Sequence, residues 1–221
     1  MVIINLQRLS IQYSLDFVDF AGGKMAKLLY QGHGSYKITT NQNSVIYIDP
    51  FAGKGYDAPA DLVLVSHEHS DHNHVELVKL KKDGRIYRSS DLLKGGKYQS
   101  VIYKDVKIEA TPAFNKNHSK NECVGFLITV DHIKIYAAGD TSKTDYMTDR
   151  LAGEIIDYAL LPIDGVYNMG PEGASLCAKI IGAKHSIPIH MKPGALFDEE
   201  KAKAFHADGE IVLRPNGEIS L

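Results

Sequence analysis

Residues 62–72, Leu-Val-Leu-Val-Ser-His-Glu-His-Ser-Asp-His, constrain this chain more than any other stretch. Leu62–Ser66 is a short, continuous apolar run of the kind that makes a strand buried on both faces. It delivers His67-Glu68-His69-Ser70-Asp71-His72 at its C-terminal end. In extended chain His67 and His69 project to one side by the period of two, and Glu68 points away. Ser70 or Asp71 is placed to cap a following helix, and the tightening backbone turns Asp71 and His72 toward a second point nearby. One hexapeptide therefore offers two nitrogens to one metal ion, and an oxygen plus a nitrogen to another. That mixed set suits zinc, manganese or iron. The chain carries ten histidines in 221 residues, and at that frequency the H-x-H-x-D-H spacing arises by chance in about one sequence in a thousand. His74, two positions past His72 on the expected helix, falls about 200° round and reads as a surface residue.

Composition removes several other classes. Two cysteines exclude a disulfide scaffold and a four-thiolate zinc site. Lys plus Arg is 25 against 27 for Asp plus Glu, so the net charge of -2 exerts no bulk pull on nucleic acid. Cys123 and Cys177 read as small buried apolar residues. No apolar run approaches the roughly 18 residues of a membrane span, and the N-terminus lacks the basic and apolar regions of a signal peptide. The expectation is a cytoplasmic protein with a small-molecule substrate, no nucleic-acid partner and no membrane association. Assembly into a homo-oligomer stays open.

From Met25 onward strand and helix signals alternate. Strands are expected at Lys27–Gln31, Tyr36–Thr40, Val45–Ile48, Leu62–Ser66, Val101–Tyr103, Val106–Thr111, Gly125–Val130 and Ile133–Ala137. Tyr158–Ile163, His185–Ile189 and Ile211–Leu213 complete the strands, and Asp131-His132 sits where a tight hairpin turn would. Helices are expected at His74–Lys82, Lys143–Ala152, Pro171–Ile181 and Asp198–His206. The stretch Lys79–Arg88 reads as a solvated helix face and turn. So many strands without a crossover helix favour an α/β fold of two sheets with outer helices over one doubly wound sheet. Residues 25–221 form a single domain on this reading, and residues 1–24 an N-terminal extension.

The hexapeptide resembles the signature of the metallo-β-lactamase fold superfamily, and flanking segments resemble it too. Lys27–Gly32 with His33-Gly34-Ser35-Tyr36 is similar to that family's first hairpin. Val45-Ile46-Tyr47-Ile48-Asp49-Pro50 is similar to its next strand. Ile135-Tyr136-Ala137-Ala138-Gly139-Asp140-Thr141 resembles the strand that delivers a bridging aspartate, and Ile187-Pro188-Ile189-His190 the strand that delivers the last histidine. The likeness is greatest to compact single-domain metal-dependent hydrolases related to L-ascorbate-6-phosphate lactonase. It implies a four-layer αββα sandwich and two divalent cations, with zinc the leading choice and manganese or iron the alternatives. By this resemblance His67, His69 and His118 would hold the first ion. Asp71, His72 and His190 would hold the second, and Asp140 would bridge them. His132, in the apparent hairpin turn, is the weaker choice beside His118.

Two cations held this way would make a shared water lose its proton near neutral pH. The implied reaction is hydrolysis of an ester, lactone or phosphoester in a small molecule, with Asp71 orienting or deprotonating the water. Four other residues admit two readings each. Asp49 either orients a ligating histidine or caps a strand end, and His33 either reaches the substrate or serves a turn. Asp164 and Asn168 either line the pocket or form a turn. A nuclease or a mononuclear iron oxygenase on the same scaffold are the alternative activities; a non-catalytic metal module fits less well, because the ligand set leaves room for water. Ala21-Gly22-Gly23-Lys24 would be encoded by a purine-rich stretch able to hold a ribosome-binding site, which makes Met25 the natural start on one reading; on the other, residues 1–24 are a genuine element packed on the domain. The intact mass of the native protein should match a start at Met25; retention of Met1 would contradict it.

Overall fold

The computed structural model describes residues 25–221; the extension expected at residues 1–24 lies outside the described residues. The chain begins with β1 (Lys27–Gly32), β2 (Ser35–Thr39), β3 (Val45–Ile48), β4 (Ala60–Val65) and β5 (Leu80–Arg88). A one-turn helix, α1 (Ser89–Leu92), leads into a small ribbon of β6 (Leu93–Lys94) and β7 (Lys97–Tyr98). Then come β8 (Ser100–Tyr103), β9 (Val106–Pro112), β10 (Val124–Val130), β11 (Ile133–Ala137), α2 (Asp145–Asp149) and β12 (Tyr158–Pro162). The chain ends with α3 (Pro171–Ile181), β13 (His185–Ile189), α4 (Glu199–Lys203) and β14 (Glu218–Ser220). Two six-stranded sheets result, in the orders β14-β1-β2-β3-β4-β5 and β13-β12-β11-β10-β9-β8. Among the described residues no helix is long and apolar enough to cross a membrane.

The period-two pattern decides which side chains meet. Leu62 and Leu64 of β4 face the opposite sheet, where Phe126, Ile128 and Leu160 join them in the main core. Val63 and Val65 face outward with Tyr47 and are covered by Tyr56, Ala58, Val75 and Val78. Each such side chain contributes about 1.5–3 kcal/mol when fully buried. On the far side, Leu127, Ala159 and Leu161 pack under Met147, Ala174, Cys177, Ile181 and Phe205, so α2, α3 and α4 clad the second sheet. The sandwich is thus layered as expected. The outer layer of the first sheet, however, is a loop and a single 3-10 turn, Val75–Leu77.

That thin layer corrects the helix expected over His74–Lys82. From Leu80 the chain is strand, and Arg85, Ile86, Tyr87 and Arg88 pair in parallel with Leu62, Val63, Leu64 and Val65. A buried β4 left without this neighbour would hold unpaired N–H and C=O groups, so tertiary pairing overrides local helix preference. Lys81 and Lys82 lie on the exposed outer half of β5, where charge discourages pairing with another chain. Ile211–Leu213 is likewise not a strand; Ile211 N–H donates to the Ser186 carbonyl of β13, and the last strand is β14. The helix expected over Lys143–Ala152 splits into α2 and a 3-10 turn, Leu151–Gly153. Asp131 and His132 form the expected tight turn, both with positive φ, at 49° and 65°.

β4 carries a single polar side chain, Asp61, and its register is fixed by carboxylates at both ends. Asp61 accepts the Val45 N–H at 2.9 Å near the start, and Asp49 accepts the Ser66 N–H at 2.7 Å just past the end. Asp61 is buried and ion-paired with Lys81 and Lys104. Burial alone would raise its pKa; the hydrogen bonds from Lys104, Lys81 and the Val45 amide outweigh this and hold it below the ordinary value. A carboxyl group lowered on folding stabilises above its unfolded pKa of about 4 and loses that effect as pH falls through the folded value. Asp61→Asn should therefore lower unfolding free energy by about 2 kcal/mol at neutral pH. Urea titrations should show that difference shrinking below about pH 4; a difference independent of pH would contradict the charge assignment.

Candidate metal centre

The strands converge on one rim of the sandwich, and almost every expected site residue is in the segment that follows a strand. After β4 the chain leaves the strand and closes a turn, His72 N–H to His69 C=O at 3.0 Å, rather than starting a helix. His67 and His69 stand edge to face, 4.5 Å between centroids, and His118 joins them at 5.0 and 4.9 Å. These three form one group whose ligand atoms lie within 4.8 Å of one another. Asp71, His72, His190 and His33 form a second such group, and His67, His72 and Asp140 a third that links the two. Asp140 is central: its carboxylate lies 3.4 Å from His72 Nε2, 3.3 Å from His118 Nε2 and 3.2 Å from His190 Nε2. Four ligand atoms about 2.1 Å from one zinc ion would lie roughly 3.4 Å apart, so these spacings suit shared ligation.

The opposite ring nitrogens are held from behind. His67 Nδ1 meets Ser66 Oγ at 2.9 Å, His72 Nδ1 meets Asp49 at 3.0 Å, and His118 Nδ1 meets the Asn115 side-chain oxygen at 3.0 Å. His190 Nδ1 lies 3.1 Å from Asp164. Each contact fixes a ring and leaves Nε2 for the centre. Of the residues with two readings, Asp49 and Asp164 stand behind ligating rings. Asn168 donates to Asp140 at 2.9 Å and to Asp164 at 2.8 Å. Both nitrogens of His33 face oxygens, Ala195 C=O at 3.0 Å and Asp71 at 3.1 Å. That ring stands between the Ala195 carbonyl and Asp71 and so positions Asp71.

Reaching these positions bends the backbone into unusual conformations. His33, Asp49 and His190 have φ of 56°, 45° and 46°, in the left-handed region that disfavours ordinary side chains. Gly139, φ 63°, brings Asp140 in so closely that a Cβ would lie 2.7 Å from Val124 C=O. Thr141 then ties this segment to the loop after β9: its Oγ1 accepts the Phe114 N–H at 3.1 Å, which carries His118 toward Asp140. Strain of about 1–3 kcal/mol per residue persists where surrounding structure over-determines it.

The electrostatics call for a cation. Burial alone would raise the Asp140 pKa; the charges of His72 and His190 outweigh that and hold it well below the carboxylate range. Burial pulls His190 down, but Asp140 and Asp164 push it up to about 10. Burial and the neighbouring His72 push His67 down to about 2. Among the described residues, Nε2 of His67, His72 and His190 are buried with no hydrogen-bond partner. Such orphans are rare in folded proteins. Imidazoles aimed with carboxylates at one centre, neutral once an ion takes the place of the proton, are a donor set that fits divalent metal.

The seven expected ligands are therefore brought together, and His74, His132, His185 and His206 stand outside the cluster. The supports Ser66 and Asn115 escaped the sequence reading. Ser66 adjoins the hexapeptide and Asn115 lies three residues before His118, so a polar side chain next to each ligand was the available signal. Asp49→Asn should weaken metal binding about 10–100-fold in a competitive chelator titration; unchanged affinity would sink the positioning role.

A model described as the beta-lactamase superfamily domain matches residues 27–190, from the first strand to the last expected ligand. A UPF0173 metal-dependent hydrolase of Thermococcus onnurineus is 31% identical over 225 residues, covering 88% of this chain and 99% of that protein. The crystal structure of a candidate metal-dependent hydrolase from Parabacteroides distasonis is 27% identical, with a TM-score of 0.70 over 86% of this chain and 93% of that one. Igni18, a metallo hydrolase from Ignicoccus hospitalis, shares the fold at 23% identity and a TM-score of 0.68, over 90% of this chain and 99% of its own. With the fold, the ligand cluster and these relatives in agreement, the chain belongs to the metal-dependent hydrolases of the beta-lactamase superfamily.

Proposed function

We propose that the protein uses two divalent cations to hydrolyse an ester, lactone or phosphoester bond in a small molecule. The observation that carries this reading is the position of Asp140, whose carboxylate lies between the two ligand groups, Oδ1 toward His72 and Oδ2 toward both His118 and His190. A carboxylate can serve two ions about 3.5–4 Å apart in this way. His67, His69 and His118 would hold one ion, and Asp71, His72 and His190 the other. Zinc is the leading candidate from the nitrogen-rich set, with manganese or iron as alternatives. Bound cations supply Lewis acidity, which lowers the pKa of water and polarises a carbonyl or phosphoryl oxygen.

The chain's own residues position the reactants. Asp71 is the most exposed acid of the cluster, 29% accessible against 4% for Asp140, and it lines a cleft of about 690 Å³. Burial would raise its pKa; the His33 hydrogen bond and the charge of His72 outweigh that and keep it well below the carboxylate range. Its carboxylate is thus oriented by His33 and available to align an attacking water. The Asn168 amide fixes Asp140 from the side, so the cluster keeps its shape while the substrate enters. The cleft lining includes no Lys or Arg among the described residues, which disfavours a polyanionic nucleic acid. A small-molecule substrate in the cytoplasm remains the reading that fits best.

Metal-loaded protein screened against lactones, esters, phosphodiesters and thioesters should turn over at least one class. Chelation should abolish the activity and added zinc or manganese restore it. His67→Ala and Asp140→Asn should each lower turnover at least about 100-fold while leaving the folded state intact by circular dichroism. Undiminished turnover and metal content in His67→Ala would refute the assignment.

A further inference from the structure

The cleft over Asp71 and Asp140 combines a polar floor with an apolar lining. Apart from the cluster and its flanking polar residues, Phe51, Tyr167, Pro193 and Gly194 complete it. The adjoining cavity, about 470 Å³, shares Glu68 and His69 with it and is mostly polar, with Leu93 and Cys123 its apolar members. Neither lining contains Lys or Arg among the described residues. Arg88, which reaches the cleft residue Glu68, is already engaged, donating to both of its oxygens. Away from the metal ligands, an anionic substituent of the substrate would lose its hydration without gaining a cationic side chain, which is costly.

Tyr167 is unusual in being half exposed, at 49%, while its backbone is fixed on both sides. Its N–H donates to Asp164 at 2.7 Å, and its C=O accepts from Asn117 Nδ2 at 2.9 Å. Asp164 also accepts the N–H groups of Val166 and Asn168, so one carboxylate collects three successive amides. The same loop delivers Asn168 to Asp140. The ring is therefore presented beside the reacting centre at little further entropic cost. Phe51 is braced in turn by His33 and His74, with centroids 5.0 and 5.9 Å away.

We infer that the site selects uncharged carboxylic esters and lactones bearing an aryl group, with Tyr167 as the specificity-determining residue. The inference rests on the hydrolytic reading above. In the reaction the water oxygen forms a new bond to the acyl carbon. The bond from that carbon to the alkoxy oxygen breaks, its electron pair stays on the departing oxygen, and a water proton ends there. No oxidant or reductant is needed.

The test compares dihydrocoumarin, γ-butyrolactone and phosphogluconolactone as substrates of zinc-loaded protein. It also measures calorimetric binding of the lactam analogue of dihydrocoumarin, which resists hydrolysis. Dihydrocoumarin should have the highest kcat/KM, by about tenfold or more. Tyr167→Ala should raise its KM about tenfold at similar kcat, and that of γ-butyrolactone by less than about twofold. Tyr167→Phe should restore dihydrocoumarin, and lactam affinity should follow the same order. Preference for the phosphorylated lactone, an equal loss on every probe, or lactam binding indifferent to Tyr167 would overturn the inference. Tyr167-dependent lactam binding without turnover of any lactone would keep the aryl subsite and remove the hydrolytic reading. Absence of both would overturn the two together.

Discussion

A carboxylate nearly cut off from water, Asp140, is surrounded at 3.2–3.4 Å by the Nε2 atoms of His72, His118 and His190. The rest of the molecule is arranged to make that contact possible. Buried nitrogens without partners cost about 1–3 kcal/mol each, and left-handed backbone at ordinary residues costs a similar amount. Crowding these nitrogens against one carboxylate and holding three left-handed residues takes a sizeable share of the 5–15 kcal/mol net stability of a typical domain. A site this costly needs a stiff frame, and divalent metal would offset part of the cost by satisfying the nitrogens.

The frame is the pairing of β3 with β4. Apart from Asp61 near the start of β4, both are apolar on both faces, so the hydrophobic pattern permits slippage, and polar residues at the strand ends prevent it. Asp49 does this while also holding His72 and Ser66 Oγ, and Ser66 Oγ in turn reaches His67 Nδ1. One carboxylate thus couples strand register to the aim of two imidazoles, one in each ligand group. On the opposite sheet Asp164 plays a comparable part, facing His190 while collecting the amides of the loop that carries Tyr167 and Asn168. The groups that set the metal cluster and those that shape the cleft are therefore the same few side chains.

Much of this was legible in the sequence for a physical reason. The ligands in 67–72 are contiguous, and a buried strand in front of them leaves few ways to arrange them. β11 and β13 are bounded as expected because alternating apolar residues and flanking turns coincide there. The error at 74–82 arose where the chain is lysine-rich and locally helix-favouring, while the unpaired edge of β4 determined the outcome. The roles of Ser66, Asn115 and His33 depend on contacts across the fold, and a lone polar residue in a loop carries no such information. His33 shows this best: its two oxygen neighbours, one from each half of the chain, come together only in the folded structure.

The central claim is that two ligand groups share Asp140 and hold one ion each. Native mass spectrometry of zinc-reconstituted protein tests it most directly, run on the wild type and on His69→Ala and Asp71→Ala, which each cut into a different group. The account predicts two ions on the wild type and one on each variant. A single ion on the wild type, or loss of all metal from both variants, would contradict it.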